Sequence, residues 1–250
     1  MNQNPLIVVI GAYGSGKSEY SINLAKMLKK DKIINNNTFI SKSEKVSLVD
    51  LDVVNPYFRS RDVREIFEKE GIEIIAPESK YNKIDLPMIS PQVKGAINDL
   101  SKTVIIDVGG DPTGCRALGQ FEDDIKKRPY QMILVVNTKR PFTSDFDEII
   151  SMKSMLEGIS KLKITEIISN TNLMEFTDID TITKGIKTIK EVSVKENILF
   201  QTYLVMNDFE NKYPDEIDGV SKINLDYFLP KPWEKVQRFS SEKKERFEYE

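Results

Sequence analysis

Histidine is absent from this 250-residue chain, and cysteine occurs once, at Cys115. Without imidazole, the commonest general base and the commonest metal ligand are missing, so proton transfer has to run through carboxylates, lysine or the groups of a substrate. A single thiol allows no intramolecular disulfide, no CxxC pair and no complete cysteine cage for zinc or an iron–sulfur cluster, a usage that fits a reducing cytoplasm. No apolar run approaches the ~20 residues of a membrane span, and the N-terminal stretch is a short apolar strand without a basic region or cleavage site. Charge of one sign is lacking as well: Lys+Arg 36 against Asp+Glu 39 gives −3, spread in short mixed clusters. That balance does not favour generic binding to nucleic acid or anionic membrane.

What is present is 40% hydrophobic residues, enough at this length for one α/β domain. Short β-branched runs at 6–10, 46–50, 72–75, 103–107, 131–136, 164–169 and 198–205 alternate with helical periodicity at 17–29, 60–70, 88–100, 116–127, 144–158 and 178–193. Residues 35–45 read as a loop or a hairpin arm through 38–40. After Val205 the pattern weakens, and from Pro230-Lys231-Pro232-Trp233 the chain is charge-rich, so a domain over 1–228 and a tail over 229–250 are expected. Alternation of this kind demands a mostly parallel sheet covered by helices, with ligands at the carboxyl ends of the strands.

At the first such end stands Gly11-Ala12-Tyr13-Gly14-Ser15-Gly16-Lys17-Ser18, an apolar strand before it and an amphipathic helix after it. Glycines at this spacing let backbone N–H groups wrap an anion, the helix N-terminus adds a favourable dipole, Lys17 supplies a point charge for terminal phosphates, and Ser18 offers a hydroxyl to Mg²⁺. The fold class expected is therefore the P-loop NTPase fold, a three-layer αβα sandwich around a mostly parallel twisted sheet. Asp107 closes another apolar strand, with Gly110 three residues on, where a glycine N–H can reach a γ-phosphate. Strand alternation aims Asp50 and Asp52 the same way, and beside a triphosphate one can hold Mg²⁺ through water while the other orients attacking water. Ordinary strand-end turns using Asp-Gly and Asn-Pro are the plain alternative at both places.

With these motifs the chain resembles the SIMIBI class of P-loop NTPases over roughly residues 5–205, in particular the chromosome-partitioning and division-site ATPases, the cobyrinate-synthesis-type enzymes and the nitrogenase iron protein. The resemblance implies that Asp52 positions attacking water, that Asp50 and Asp107 belong to the Mg²⁺ shell, and that Asn170 reads the base. It also implies a protein partner, and a homodimer around nucleotide as one arrangement. The partitioning ATPases carry a second lysine after the first glycine of the loop, where this chain has Ala12; Arg59 and Arg61 could neutralise phosphate instead, or simply start a surface helix. The stretch from Asp107 to Cys115 resembles the cluster-bearing stretch of the iron protein, but two copies of Cys115 fall short of four cluster ligands, so a small buried cysteine is expected.

Guanine-specific proteins of this type place a carboxylate after Asn/Thr-Lys on a late strand. Asn137-Thr138-Lys139-Arg140 has arginine there, and Asn170-Thr171-Asn172-Leu173 lacks both lysine and aspartate, which favours ATP. Three functions stay open at this level: an ATP-hydrolysing switch whose segments 50–61 and 108–120 respond to nucleotide, a small-molecule kinase or ligase with a pocket from 54–61 and 78–88, and a non-catalytic nucleotide-binding adaptor.

Overall fold

The computed structural model describes residues 4–29, 45–52, 67–76 and 91–228. The strands are β1 (Leu6–Ile10), β2 (Val46–Leu51), β3 (Ile72–Ile75), β4 (Thr103–Val108), β5 (Tyr130–Val136), β6 (Glu166–Ser169), β7 (Leu199–Met206), β8 (Glu216–Ile217) and β9 (Val220–Leu225). The described helices are α1 (Lys17–Lys29), α2 (Pro91–Asn98), α3 (Pro112–Gly119), α4 (Glu122–Ile125), α5 (Phe146–Ser160) and α6 (Ile179–Glu196). The hairpin arm 38–40, most of the helix expected at 60–70, Arg59, Arg61, the segments 54–61 and 78–88 and the tail 229–250 lie outside the described residues.

The strands form one sheet in the order β3-β2-β4-β1-β5-β6-β7-β9-β8, and every pairing is parallel except that of β8 with β9. Parallel strands need cover on both faces, and β1, with all five residues buried, carries apolar side chains on each. On one face Ile7, Val9, Leu48 and Ile105 pack against Tyr20, Leu24 and Leu28 of α1. On the other, Leu6, Val8, Ile10, Val104 and Ile106 meet Ile97 of α2, Cys115 and Leu118 of α3, Ile149 and Leu156 of α5 and Ile189 of α6. The result is the expected three-layer αβα sandwich.

Helix starts follow from short polar caps. Asp111, Asp145 and Asp178 accept bonds from backbone N–H groups in the first turns of α3, α5 and α6, and Lys161 and Asn197 close α5 and α6 in the left-handed region. The cap at Asp111 with Pro112 at the first helical position explains why the helix expected at 116–127 begins earlier and divides into α3 and α4. Where the sequence pattern weakens after Val205, the chain nevertheless returns to the sheet as β9. Its Ser221, Lys222, Ile223 and Asn224 are only half-buried near the sheet edge, so no continuous apolar run announces the strand.

Two buried polar groups set the energetics away from the carboxyl ends. The Arg128 guanidinium donates to the carbonyl oxygens of Ile97 (3.1 Å), Asp99 (3.3 Å), Lys102 (2.9 Å) and Pro5 (3.4 Å), and to that of Asn4, tying the amino ends of β1 and β4 to the end of α2. Glu166 is buried at the start of β6, and burial pushes its carboxyl up to about 7 from 4.5. A carboxyl whose folded pKa is raised carries no penalty below the unfolded value; the penalty grows between the two values and is complete above the folded one. Glu166→Gln is therefore expected to raise the unfolding free energy by about 2–3 kcal/mol at pH 8 and by less than about 1 kcal/mol at pH 5. Urea titrations at the two pH values check this, and equal gains at both would contradict the assignment.

Candidate functional site

Residues 11–18 connect the end of β1 to the start of α1 at the carboxyl edge of the sheet, so the first N–H groups of α1 open into the turn. Gly14 and Gly16 stand at φ +74° and +89°, a region that side chains rarely adopt. Gly11 is required for space instead, since an added Cβ would lie 2.4 Å from the carbonyl oxygen of Val135. Ala12 is buried and Tyr13 projects into solvent, 76% exposed. Ser15 is fully buried, and its hydroxyl has no hydrogen-bond partner among the described residues. A buried hydroxyl left over inside a ring of N–H groups suits a polar ligand.

Lys17 and Ser18 open α1 and are both buried. Lys17 Nζ is 3.2 Å from Asp52 Oδ2. Asp52 follows directly on β2, and its backbone N–H donates to Asp50 Oδ1 at 2.9 Å, so both carboxylates sit on one turn at the strand end. Asp107 is level with Asp50 across the β2–β4 ladder and with Val9 across β1–β4. Ser18 bonds the Asp107 carboxylate, and Ser21 Oγ stands 3.4 Å from its Oδ1 and 2.9 Å from the Lys17 carbonyl oxygen. Burial pushes the Asp107 carboxyl up to about 6, and the nearby Asp52 charge adds to this, against the opposing pull of Lys17 and the serine hydroxyls. The expected Lys17, Ser18, Asp50, Asp52 and Asp107 are thus brought together.

The segment after β4 rests on the glycine loop. An added Cβ on Gly110 would fall 1.9 Å from the Gly11 carbonyl oxygen, and one on Gly109 would stand 3.3 Å from Asp52 Oδ1. Asp111 turns away to cap α3, and Cys115 is buried in the core with its thiol pushed up to about 12 by burial, an inert packing residue.

Asn170, at the end of β6, donates from Nδ2 to the Ser15 carbonyl oxygen at 2.7 Å. Two features here were not foreseen from sequence. Arg140 donates from Nε to the Gly14 carbonyl oxygen at 3.2 Å. Beside Asn170 and Asn172 a narrow cleft opens, walled by Met206, Phe209, Tyr213 and Tyr227. The cleft walls come from the region where periodicity fades; the aromatic residues spaced through 209–227 were the available signal.

Oxygen donors define the metal-binding prospects. Among the described residues no three His, Cys, Asp or Glu side chains gather into a metal site. The Ser18 hydroxyl against the buried Asp107 carboxylate, with Asp50 level on the next strand, is a hard, sparse donor set. It suits Mg²⁺, which keeps most of its water and phosphate ligands.

A scan against protein-family models finds no match, and a search of curated protein sequences finds none either. Among solved structures, the chain is similar to chloroplast FtsY from Physcomitrella patens, at 16% identity and a TM-score of 0.51 over 81% of this chain and 58% of that one. It is also similar to the signal recognition particle receptor FtsY from Elizabethkingia anophelis, solved with GDP, at 18% identity and a TM-score of 0.47 over 75% of this chain and 55% of that one. The chain therefore spans under two thirds of the length of either protein, and the first likeness shows the fold alone, an α/β fold around a mostly parallel sheet.

The contact between Gly110 and the glycine loop is directly testable. Gly110→Ala forces the two loops apart and is expected to lower the thermal midpoint by about 3–10 °C, from about 1–3 kcal/mol of overpacking. An unchanged midpoint in a scanning-calorimetry comparison would show that the loops do not touch in solution.

Proposed function

We propose that this protein binds Mg·ATP in the loop 11–18 and hydrolyses it, acting as a nucleotide-controlled switch for a protein partner. The observation that carries the proposal is the convergence of the buried Lys17 with Asp52 at 3.2 Å, while Gly110 packs on the Gly11 carbonyl. Terminal phosphates would take Lys17 from Asp52, and the same event would be felt at Gly110. One nucleotide contact then reaches both segments that follow β2 and β4.

The residue roles proposed here are supported by this geometry. The N–H groups of Gly11, Ala12, Tyr13, Gly14, Gly16 and Lys17 are suited to cradle phosphate, with the α1 dipole behind them, while that of Ser15 closes the turn onto the Ala12 carbonyl. Ser18, Asp107 and Asp50 would hold Mg²⁺, the aspartates through its water shell. When bound, that ion would neutralise phosphate charge and hold the phosphates in line. Asp52, released from Lys17, would accept a hydrogen bond from the attacking water and orient it, and the Gly110 N–H would face the terminal phosphate.

Asn170 keeps a second amide hydrogen besides the one donated to Ser15, which suits a base with a nitrogen acceptor at its edge. ATP is favoured over GTP because the positions that would need a guanine-reading carboxylate hold Arg140 and the exposed Leu173. Among the described residues no helix is long and apolar enough to cross a membrane, and a cytoplasmic protein fits the buried lone cysteine.

The expected outcome for Asp52→Asn is ATP affinity within about threefold of wild type and phosphate release slowed about 100-fold or more, the range typical of a lost general base. Single-turnover phosphate release measures it, and unchanged turnover would remove Asp52 from the mechanism. Wild-type protein that binds ATP without releasing phosphate would support the adaptor. Turnover that appears only with a metabolite and yields its phosphorylated product would support the kinase.

A further inference from the structure

Arg140, and Asn170 with the amide hydrogen not offered to the base, grip the phosphate loop from outside. Arg140 lies in a turn built around the fully buried Asn137, whose Oδ1 accepts from the Lys139 N–H (2.9 Å) and whose carbonyl accepts from the Arg140 N–H (3.0 Å) and Thr143 Oγ1 (2.9 Å). The same Asn137 is cross-linked to the loop after β6: the Asn172 N–H donates to its Oδ1 and its Nδ2 donates to the Asn172 carbonyl, both at 3.3 Å. The turn also holds Phe142 at φ +68°, which a phenylalanine adopts only when its surroundings impose it. The loops after β5 and β6 are thus one bonded unit, and from it Arg140 reaches the Gly14 carbonyl and Asn170 the Ser15 carbonyl.

These contacts fall on the two glycines of the loop with left-handed φ. An added Cβ on Gly14 would stand 3.1 Å from Arg140 Nε, and one on Gly16 would stand 2.2 Å from Asn170 Nδ2. A trans peptide directs its C=O and N–H in opposite directions, and the chain has no cis bond among the described residues. With the Ser15 carbonyl pinned outward by Asn170, the Gly16 N–H is aimed to the concave side. With the Gly14 carbonyl held by Arg140, the Ser15 N–H is turned the other way and closes the turn by donating to the Ala12 carbonyl at 3.0 Å. Arg140 also sets a permanently charged guanidinium against the rim of an anion site.

We propose that Arg140 and Asn170 form a two-point clamp that holds the loop carbonyls outward, keeps the Ser15 turn closed and aims the Gly16 N–H at phosphate, with Arg140 as the positioning residue that adds charge. The inference rests on the loop being a phosphate site and deepens that reading, since it assigns the shape of the cradle to side chains that follow the neighbouring strands β5 and β6.

The test uses the full chain and two Mg²⁺-loaded probes, ATP and tripolyphosphate, which shares the phosphates but has no base. Arg140→Ala is expected to weaken both by the same factor, about 10- to 100-fold for a lost charge-assisted contact, with an unchanged thermal midpoint. Arg140→Lys is expected to recover most of the loss, and Asn170→Ala to weaken tripolyphosphate as well. Arg140→Ala binding at wild-type strength overturns the clamp. So does a loss confined to ATP, which would assign Arg140 to the base. If wild type binds neither probe, the phosphate-site reading itself fails, and the clamp with it.

Discussion

Lys17 stands buried at the head of α1, where the helix dipole is already positive, and an ammonium group there has to be paired or lose its proton. Asp52 at 3.2 Å supplies the pairing, and Asp107 lies close enough for Lys17 to lower its carboxyl against the effect of burial. The remainder of the site follows from this requirement. One aspartate must stand at the end of the strand beside β1 and the other at the end of the next strand out, which the order β2-β4-β1 provides, and the loop from β1 to α1 must be free of side chains where other backbone approaches it. A helix end, a lysine and a ring of N–H groups call for an anion; two carboxylates and a serine hydroxyl beside them call for a cation. A phosphate with a divalent ion satisfies both at once.

Much of this was legible in the sequence because each feature has a local cause. The strand Leu6–Ile10 and the helix Lys17–Lys29 were bounded correctly, since a wholly apolar run ends at glycine and helical periodicity begins at Lys17. Asp107 is legible as the end of an apolar run before glycines, and Asp50 and Asp52 as an alternating pair where a strand ends. The order of the strands was not legible, because register between distant segments leaves no periodic trace, and nor was the contact of Gly110 with Gly11, which depends on that order. β9 escaped notice for a related reason. A half-buried strand near the edge, carrying Ser221, Lys222 and Asn224, looks like surface loop until its neighbour β7 is known.

The region past Val205 bears directly on the site. By joining β7, β9 holds the segment with Phe209 and Tyr213 and the approach to Tyr227 against the end of β6, which makes the cleft beside Asn170. Asn137 and Asn172 illustrate a second kind of illegibility. Each reads as an ordinary turn residue, yet together they fuse two loops into the unit that reaches Gly14 and Ser15. Such polar cross-links fix a functional loop more sharply than apolar packing can, because hydrogen bonds are directional.

Whether this cradle takes Mg·ATP is the claim on which the account turns, and titration calorimetry of ATP and of GTP into wild type and Lys17→Ala, with and without Mg²⁺, tests it most directly. The account predicts that wild type binds ATP more tightly than GTP, that removing Mg²⁺ weakens binding, and that Lys17→Ala loses at least about tenfold in affinity, the least expected from deleting a charge-assisted phosphate contact. ATP binding equal in wild type and Lys17→Ala, or no binding of either nucleotide, would contradict it.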